Sequence, residues 1–175
     1  MITVISGTNR TNSNSILIAK LYQRYLADLG ADSTLADLSL LPDAFTAAHS
    51  LYESQNRHEQ FDELSRLVSA GNKFAVIVPE YNGSFPGVLK AFIDGLEYPA
   101  SFKHKKVGLI GISDGSMGGV LAMSHLTDIF NYLGAEVFSY KPRLQGIKKC
   151  LQEGKLTDKK VEGFLREHAE RFIAF

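Results

Sequence analysis

Apolar residues in this chain fall into short continuous runs that alternate with stretches of helical spacing. That is the mark of strands buried on both faces and separated by helices. The first run, Ile2-Thr3-Val4-Ile5-Ser6, is largely β-branched and is broken by Gly7. A helix over residues 15–29 follows, with Ile16, Leu17, Ala19, Leu21 and Leu26 as its apolar positions and Gly30 as its stop. Residues 33–38 predict a second strand, marked by Leu35 and Leu38. Residues 39–60 are the least regular part and carry Pro42, Phe45, His49, Tyr52 and His58. A connection of that length is usually functional. Phe61, Leu64, Leu67 and Val68 then mark a helix ending near Gly71, and the run from Phe74 to Val78 predicts a third strand. Helical spacing returns over residues 86–96. A fourth strand spans residues 106–112, a helix residues 121–133, and a short fifth strand residues 136–140. Thr157-Asp158 opens a last helix that presents Val161, Phe164, Leu165 and Phe172.

This alternation predicts an α/β fold, a parallel sheet covered by helices on both faces. No repeat, linker or charge block divides the chain, so residues 1–175 read as one domain. Lys+Arg and Asp+Glu are equal at 19 each. The balance argues against a nucleic-acid binder and against an acidic carrier that docks on basic partners. A single cysteine, Cys150, excludes an intramolecular disulfide and suits a reducing, cytoplasmic setting. It stands in a lysine-rich stretch without an evident base and reads as a structural thiol. No apolar run approaches the ~20 residues that span a bilayer, so no membrane is expected. A strand directly after Met1 leaves no room for a signal peptide. His49 and His58 have no metal-ligand partners at helical spacing, and no metal is expected.

Three polar loops follow the first, third and fourth strands. The first, residues 7–15, holds small hydroxyls, amides and Arg10 ahead of a helix start. Unpaired helix N–H groups, hydroxyl donors and a guanidinium together suit a phosphate monoester. It is neither a Walker loop nor the dinucleotide fingerprint, because the required Gly-Lys-Ser/Thr and further glycines are missing. The second loop runs Pro79-Glu80-Tyr81-Asn82-Gly83-Ser84-Phe85-Pro86-Gly87. Asn82-Gly83 permits a tight turn with positive φ, Tyr81 offers a flat surface, and Pro86 suits a first helical turn. Backbone N–H groups of Asn82, Gly83 and Ser84 are expected to face a polar ring edge. The third loop, Ser113-Asp114-Gly115-Ser116-Met117-Gly118-Gly119, lets backbone approach a ligand closely. In the flavodoxin-like order 2-1-3-4-5 the chain reverses between strands one and three, and all three loops meet in one crevice. A phosphate site beside two walls for a flat polar-edged ring is what flavin mononucleotide needs.

Three motifs carry a family resemblance: Gly7-Thr8-x-Arg10-x-x-Ser13-x-Ser15, Pro79-Glu80-Tyr81-Asn82-Gly83-Ser84-x-Pro86-Gly87-x-Leu89-Lys90, and Gly111-x-Ser113-x-Gly115-x-x-Gly118. From Ile2 to about Ala135 the chain resembles the NADPH-dependent FMN reductases, a flavodoxin-like family that includes azo, quinone and chromate reductases. The resemblance implies a three-layer α/β/α sandwich with a five-stranded parallel sheet. It implies that Thr8, Arg10, Ser13 and Ser15 hold the phosphate, that Pro79, Glu80, Tyr81, Asn82 and Gly83 line the isoalloxazine, and that Ser113 and Gly115 flank its other side. Asn14 and Asp114 complete the candidate set. The chain departs from the family in having Ser15 where Asn is frequent, Ala91 for Asn, Gly95 for Trp and Ser116 for Arg.

The function so implied is an FMN-dependent NAD(P)H oxidoreductase. Hydride passes from NADPH or NADH to flavin N5 and on, by ping-pong turnover, to a small quinone, azo, flavin or similar acceptor. No protein side chain acts as catalytic acid or nucleophile in this reading. The alternatives are a flavodoxin-type electron carrier without NAD(P)H turnover, and a flavin-free binding module. Residues 39–60 are expected to frame the exposed ring face, with Phe45 or Tyr52 near it. A homodimer or homotetramer is expected, partly from the family and partly from Phe92, Leu96, Tyr98 and Phe102, more apolar surface than one helix face needs.

Overall fold

The computed structural model describes residues 1–42, 45 and 58–175. Its central sheet has the strand order expected, β2-β1-β3-β4-β5, with every pairing parallel. The strands are β1 (Ile2–Ser6), β2 (Ser33–Asp37), β3 (Lys73–Pro79), β4 (Lys106–Ile112) and β5 (Glu136–Val137). Every residue of β1 is buried, as is all of β3 and β4 after their first lysines, which explains the unbroken apolar runs. Helices α1 (Asn14–Asp28) and α6 (Lys159–Ala174) cover one face. Helices α2 (Glu59–Ala70), α3 (Gly87–Gly95) and α4 (Val120–Tyr132) cover the other.

Two differences from the expected layout matter for function. The fifth strand stops at Val137 and does not reach residue 140. Pro142, which has no N–H to give a ladder, stands on the path that follows. The chain then returns as an unforeseen strand, β6 (Arg143–Leu144), parallel to the upper end of β4. Thus β4 pairs with β5 at Lys106 and Val107, and with β6 at Gly111 and Ile112. Beyond β6 come a one-turn helix, α5 (Ile147–Cys150), and a hairpin of β7 (Leu151–Gln152) and β8 (Lys155–Leu156). Cys150 therefore sits in that helix, buried; burial first, then the Asp158 carboxylate, push its thiol pKa up. That agrees with a structural thiol.

Phe92, Leu96 and Phe102 are core residues rather than surplus surface. Phe102 packs edge-on against Phe74 and Phe130, and Phe92 against Phe61. Phe45 is also buried, stacked on Phe61 with ring centroids 5.2 Å apart, so it does not frame a ligand. His49 and Tyr52 lie outside the described residues. At the amino end of the sheet, Lys73, Lys105 and Lys106 donate to main-chain carbonyls at the ends of α6 and α2 and at Phe175. Those charges cap helix ends and are spent far from the carboxyl edge of the strands.

Candidate active site

The first loop leaves β1 at a point where only glycine fits. A Cβ on Gly7 would lie 2.8 Å from the Ile77 carbonyl oxygen, the acceptor of the Gly7 N–H at 3.0 Å. The next residue, Thr8, is buried. Its hydroxyl accepts the Arg10 N–H at 3.3 Å and is hydrogen-bonded to the Tyr81 hydroxyl at 2.9 Å. Asn12 takes positive φ, and Ser13 caps α1 by accepting the Ile16 N–H at 3.3 Å. Capping uses a lone pair of Ser13 and leaves its O–H proton free to donate. Ser15 is buried in the first turn, where the N–H groups of Asn14 and Ser15 have no helical acceptor. Arg10 is exposed and has no carboxylate partner among the described residues.

The second loop is a two-residue hairpin. Tyr81 and Ser84 exchange both backbone hydrogen bonds, at 2.7 and 3.0 Å. Asn82 and Gly83 form the turn with φ of 49° and 75°. The Ser84 N–H is thereby consumed inside the hairpin and cannot serve a ligand. The N–H groups of Asn82 and Gly83 have no acceptor among the described residues. The hairpin is anchored on three sides. Thr8 holds Tyr81, and His125 Nδ1 on α4 is hydrogen-bonded to the Ser84 hydroxyl at 2.9 Å. Glu80 donates its N–H to Ile112 O at 3.0 Å and accepts the Gly119 N–H on its carboxylate at 3.1 Å.

The third loop staples itself. The Ser113 hydroxyl donates to Gly115 O and accepts the Gly118 N–H, both at 2.9 Å. A Cβ on Gly111 would lie 2.3 Å from Gly118 O, so the loop folds directly onto its own strand. Segment 144–148 is laced to this loop from the far side. Ser113 N–H donates to Leu144 O, Ile147 N–H to Ser113 O, and Gly146 N–H to Gly115 O.

A cleft of about 260 Å³ opens where these parts meet, at the carboxyl edge of β1, β3 and β4. Thr8, Arg10, Ser13, Asn14, Ser15, Pro79, Glu80, Tyr81, Ser113 and Asp114 all line it. Asn82, Gly83 and Gly115 do not; the hairpin tip stands beyond the cleft, and Gly115 turns its carbonyl into the loop. Four further lining residues escaped sequence reasoning: Asn12, Ile112, Ile147 and Lys148. The last two belong to the wall after β6, for which no local motif gives a signal. Lys148 pairs with Asp114 at 2.6 Å, and its hydrogen bond draws the Asp114 carboxyl below the usual range.

The donors that line this cleft fit a phosphate monoester: two cations, three hydroxyls, two amides and a helix start. Pro79, Tyr81, Ile112 and Ile147 line the same cleft, apolar and flat enough for a ring. A separate apolar groove of about 400 Å³ lies between α3 and α4, bordered by Ile93, Leu96, Tyr98, Ile129 and Tyr132. Tyr98 and Tyr132 are both exposed there.

Fold and cleft together define a flavodoxin-like domain with its cleft at the strand reversal. Among solved structures, the flavoenzyme NAD(P)H:(acceptor) oxidoreductase FerB from Paracoccus denitrificans superposes with a TM-score of 0.78 and 26% identity, covering 99% of this chain and 94% of that one. An archaeal flavodoxin shares the fold at a TM-score of 0.63 and 16% identity, with 99% of each chain covered. Residues 1–141 match the NADPH-dependent FMN reductase family model, and the chain belongs to that family. A NADPH azoreductase from Bacillus sp. strain OY1-2 is 32% identical over 125 residues, 70% of this chain and 64% of that protein. A 2-hydroxy-1,4-benzoquinone reductase from Burkholderia sp. is 33% identical over 87 residues, 46% of this chain and 48% of that protein. The matched stretches thus span less than two thirds of either relative.

Proposed function

We propose that the chain is a single FMN-binding domain that works as an NAD(P)H-dependent oxidoreductase on small acceptors of the quinone or azo type. The observation that carries this reading is one cleft lined both by donors suited to a phosphate and by apolar and aromatic side chains suited to a flat ring. Family membership and the names of the relatives support the same reading. Bound FMN would supply the redox chemistry, taking two electrons from a nicotinamide and passing them to the acceptor.

The chain's own residues bind, orient and shield. Arg10, the hydroxyls of Thr8, Ser13 and Ser15, and the start of α1 at Asn14 hold the phosphate. Pro79, Glu80 and Tyr81 bound one side of the ring, and Ser113 and Asp114 the other, while Gly115 shapes the loop behind them. The N–H groups of Asn82 and Gly83, without an acceptor among the described residues, stand at the hairpin tip beyond the cleft lining and would offer fixed dipoles to a ring edge that reaches past Tyr81. Glu80 keeps its own negative charge turned to the Gly119 N–H instead of toward the ligand. One cleft serves both substrates in turn, which fits ping-pong turnover.

In this reading the chain acts in the cytoplasm as a homodimer or homotetramer. The buried free thiol and the apolar groove with its two exposed tyrosines support that assignment. No helix among the described residues is long and apolar enough to cross a membrane. The test is an anaerobic titration of the yellow protein with NADH and NADPH. Bleaching by either, reversed by a small quinone, with parallel double-reciprocal lines, is the expected result. Full FMN binding without bleaching would replace the enzyme by an electron carrier. No FMN uptake at all would leave only a flavin-free binding module.

A further inference from the structure

The cleft carries one charged group that neither the family motifs nor the three loops account for. Lys148 stands on α5, opposite Arg10, and lines the same cleft. Its main chain is fixed: Ile147 is buried, and the Ile147 and Gly146 N–H groups donate to loop three at 3.0 and 3.2 Å. Its head group is not. The Lys148–Asp114 pair leaves the two side chains 71% and 52% exposed. A pair so open to water contributes little to folding. Lys148 therefore gains little by staying on Asp114. An ammonium has three donors, and a single carboxylate partner leaves donors over.

We propose that Lys148 is a second cation for a phosphate monoester, closing on it from the wall opposite Arg10, and that Asp114 weakens this grip by competing for the ammonium. A phosphate monoester carries about −1.5 to −2 charge and three acceptor oxygens, so it outbids one carboxylate for the same donor. The assignment rests on the flavin reading above. Two sources share the chemistry: the 5′-phosphate of FMN and the 2′-phosphate that distinguishes NADPH from NADH. Loop three, residues 113–119, carries no lysine or arginine, so it offers no cation for either; the charge comes from α5.

The test uses the full chain freed of flavin, as wild type, Lys148→Ala, Lys148→Arg and Asp114→Asn, titrated with FMN and with riboflavin by fluorescence quenching. Lys148→Ala should weaken FMN binding about tenfold, the scale of one exposed charge-assisted hydrogen bond, and leave riboflavin unchanged. Lys148→Arg should keep most of the affinity. Asp114→Asn should tighten FMN severalfold, the opposite sign. A second arm measures KM for NADPH and NADH on the flavin-loaded proteins. If Lys148→Ala raises KM for NADPH alone and spares the FMN-to-riboflavin ratio, the phosphate read is the co-substrate's. Equal loss of FMN and riboflavin, or no change in either arm, overturns the proposal. So does weakening of FMN by Asp114→Asn, which would make the ion pair itself the structural element. Wild type that binds neither flavin would remove the flavin reading and this assignment together.

Discussion

His168 makes a sharp prediction about acid stability. The ring is fully buried between α6, α1 and β4. Nδ1 is hydrogen-bonded to the Tyr22 hydroxyl at 2.7 Å, while Nε2 has no partner. Phe172 and Phe138 pack on it with ring centroids 5.5 Å away. Burial, and then the nearby Arg171 charge, drive its pKa from 6.5 down to about 3. The folded state thus holds the neutral imidazole, while the unfolded chain takes up a proton below its ordinary value. Stability is complete above that value and is lost as pH falls toward the folded one, at about 1.4 kcal/mol per pH unit. Between about pH 7.5 and pH 5 the loss is about 2 kcal/mol. The depressed carboxylates of Asp114, Asp158, Glu162 and Glu167 work in a lower window. Their stability is lost only as pH falls below about 4, so they leave this interval clear. Urea unfolding of flavin-free protein at the two pH values reads the difference. His168→Gln should abolish this ~2 kcal/mol of pH dependence. Tyr22→Phe should cost about 1–2 kcal/mol at both pH values while keeping the dependence intact, because burial rather than the hydrogen bond sets it. An identical pH dependence in wild type and His168→Gln would refute the reasoning.

Four further outcomes are expected. Arg10→Ala should weaken FMN binding by about 1.5–3 kcal/mol and barely change riboflavin affinity; equal losses in a fluorescence titration would make Arg10 a support of the fold. Replacing both Asn82 and Gly83 by Ala, at φ of 49° and 75°, should slow flavin reduction in stopped flow more than it weakens FMN binding, and the reverse ranking would show that the hairpin serves affinity. Gly108→Ala should lower the unfolding free energy by about 1–3 kcal/mol, read from urea titration, since its Cβ would meet His168 Cε1 at 2.8 Å; an unchanged urea midpoint would mean that the ring moves aside freely. Light scattering at micromolar concentration should give at least a dimer mass, and a monomer mass would leave the apolar groove between α3 and α4 as open surface.

The parts of the fold that sequence reading reaches are those with local causes. Strands β1, β3 and β4 show as apolar runs because both faces are buried, and Asn82-Gly83 shows as a turn because positive φ selects those residues. The parts it misses depend on distant partners. Glu80 lines the cleft, but no local signal shows that its carboxylate is held by the N–H of Gly119, 39 positions away. Lys148 looks like any surface lysine until α5 is laced onto loop three and its ammonium meets Asp114, 34 positions back. Phe92, Leu96 and Phe102 count as surplus only if α3 has one buried side. In the fold Val88, Leu89, Ala91, Phe92 and Ile93 of that helix are all buried, so periodicity cannot separate core from interface.

The cleft's fourth wall is a separate segment of chain. The family model stops at residue 141, two positions before β6 begins, so the wall lies outside the stretch that defines the family. Three backbone hydrogen bonds join it to loop three, and none of them depends on side-chain identity. The wall can therefore be exchanged without touching the loops after β1 and β3. For protein engineering it is a detachable jaw. Grafting residues 142–158 between relatives would re-tune which anions and acceptors the pocket admits, while the loops after β1 and β3 stay as they are.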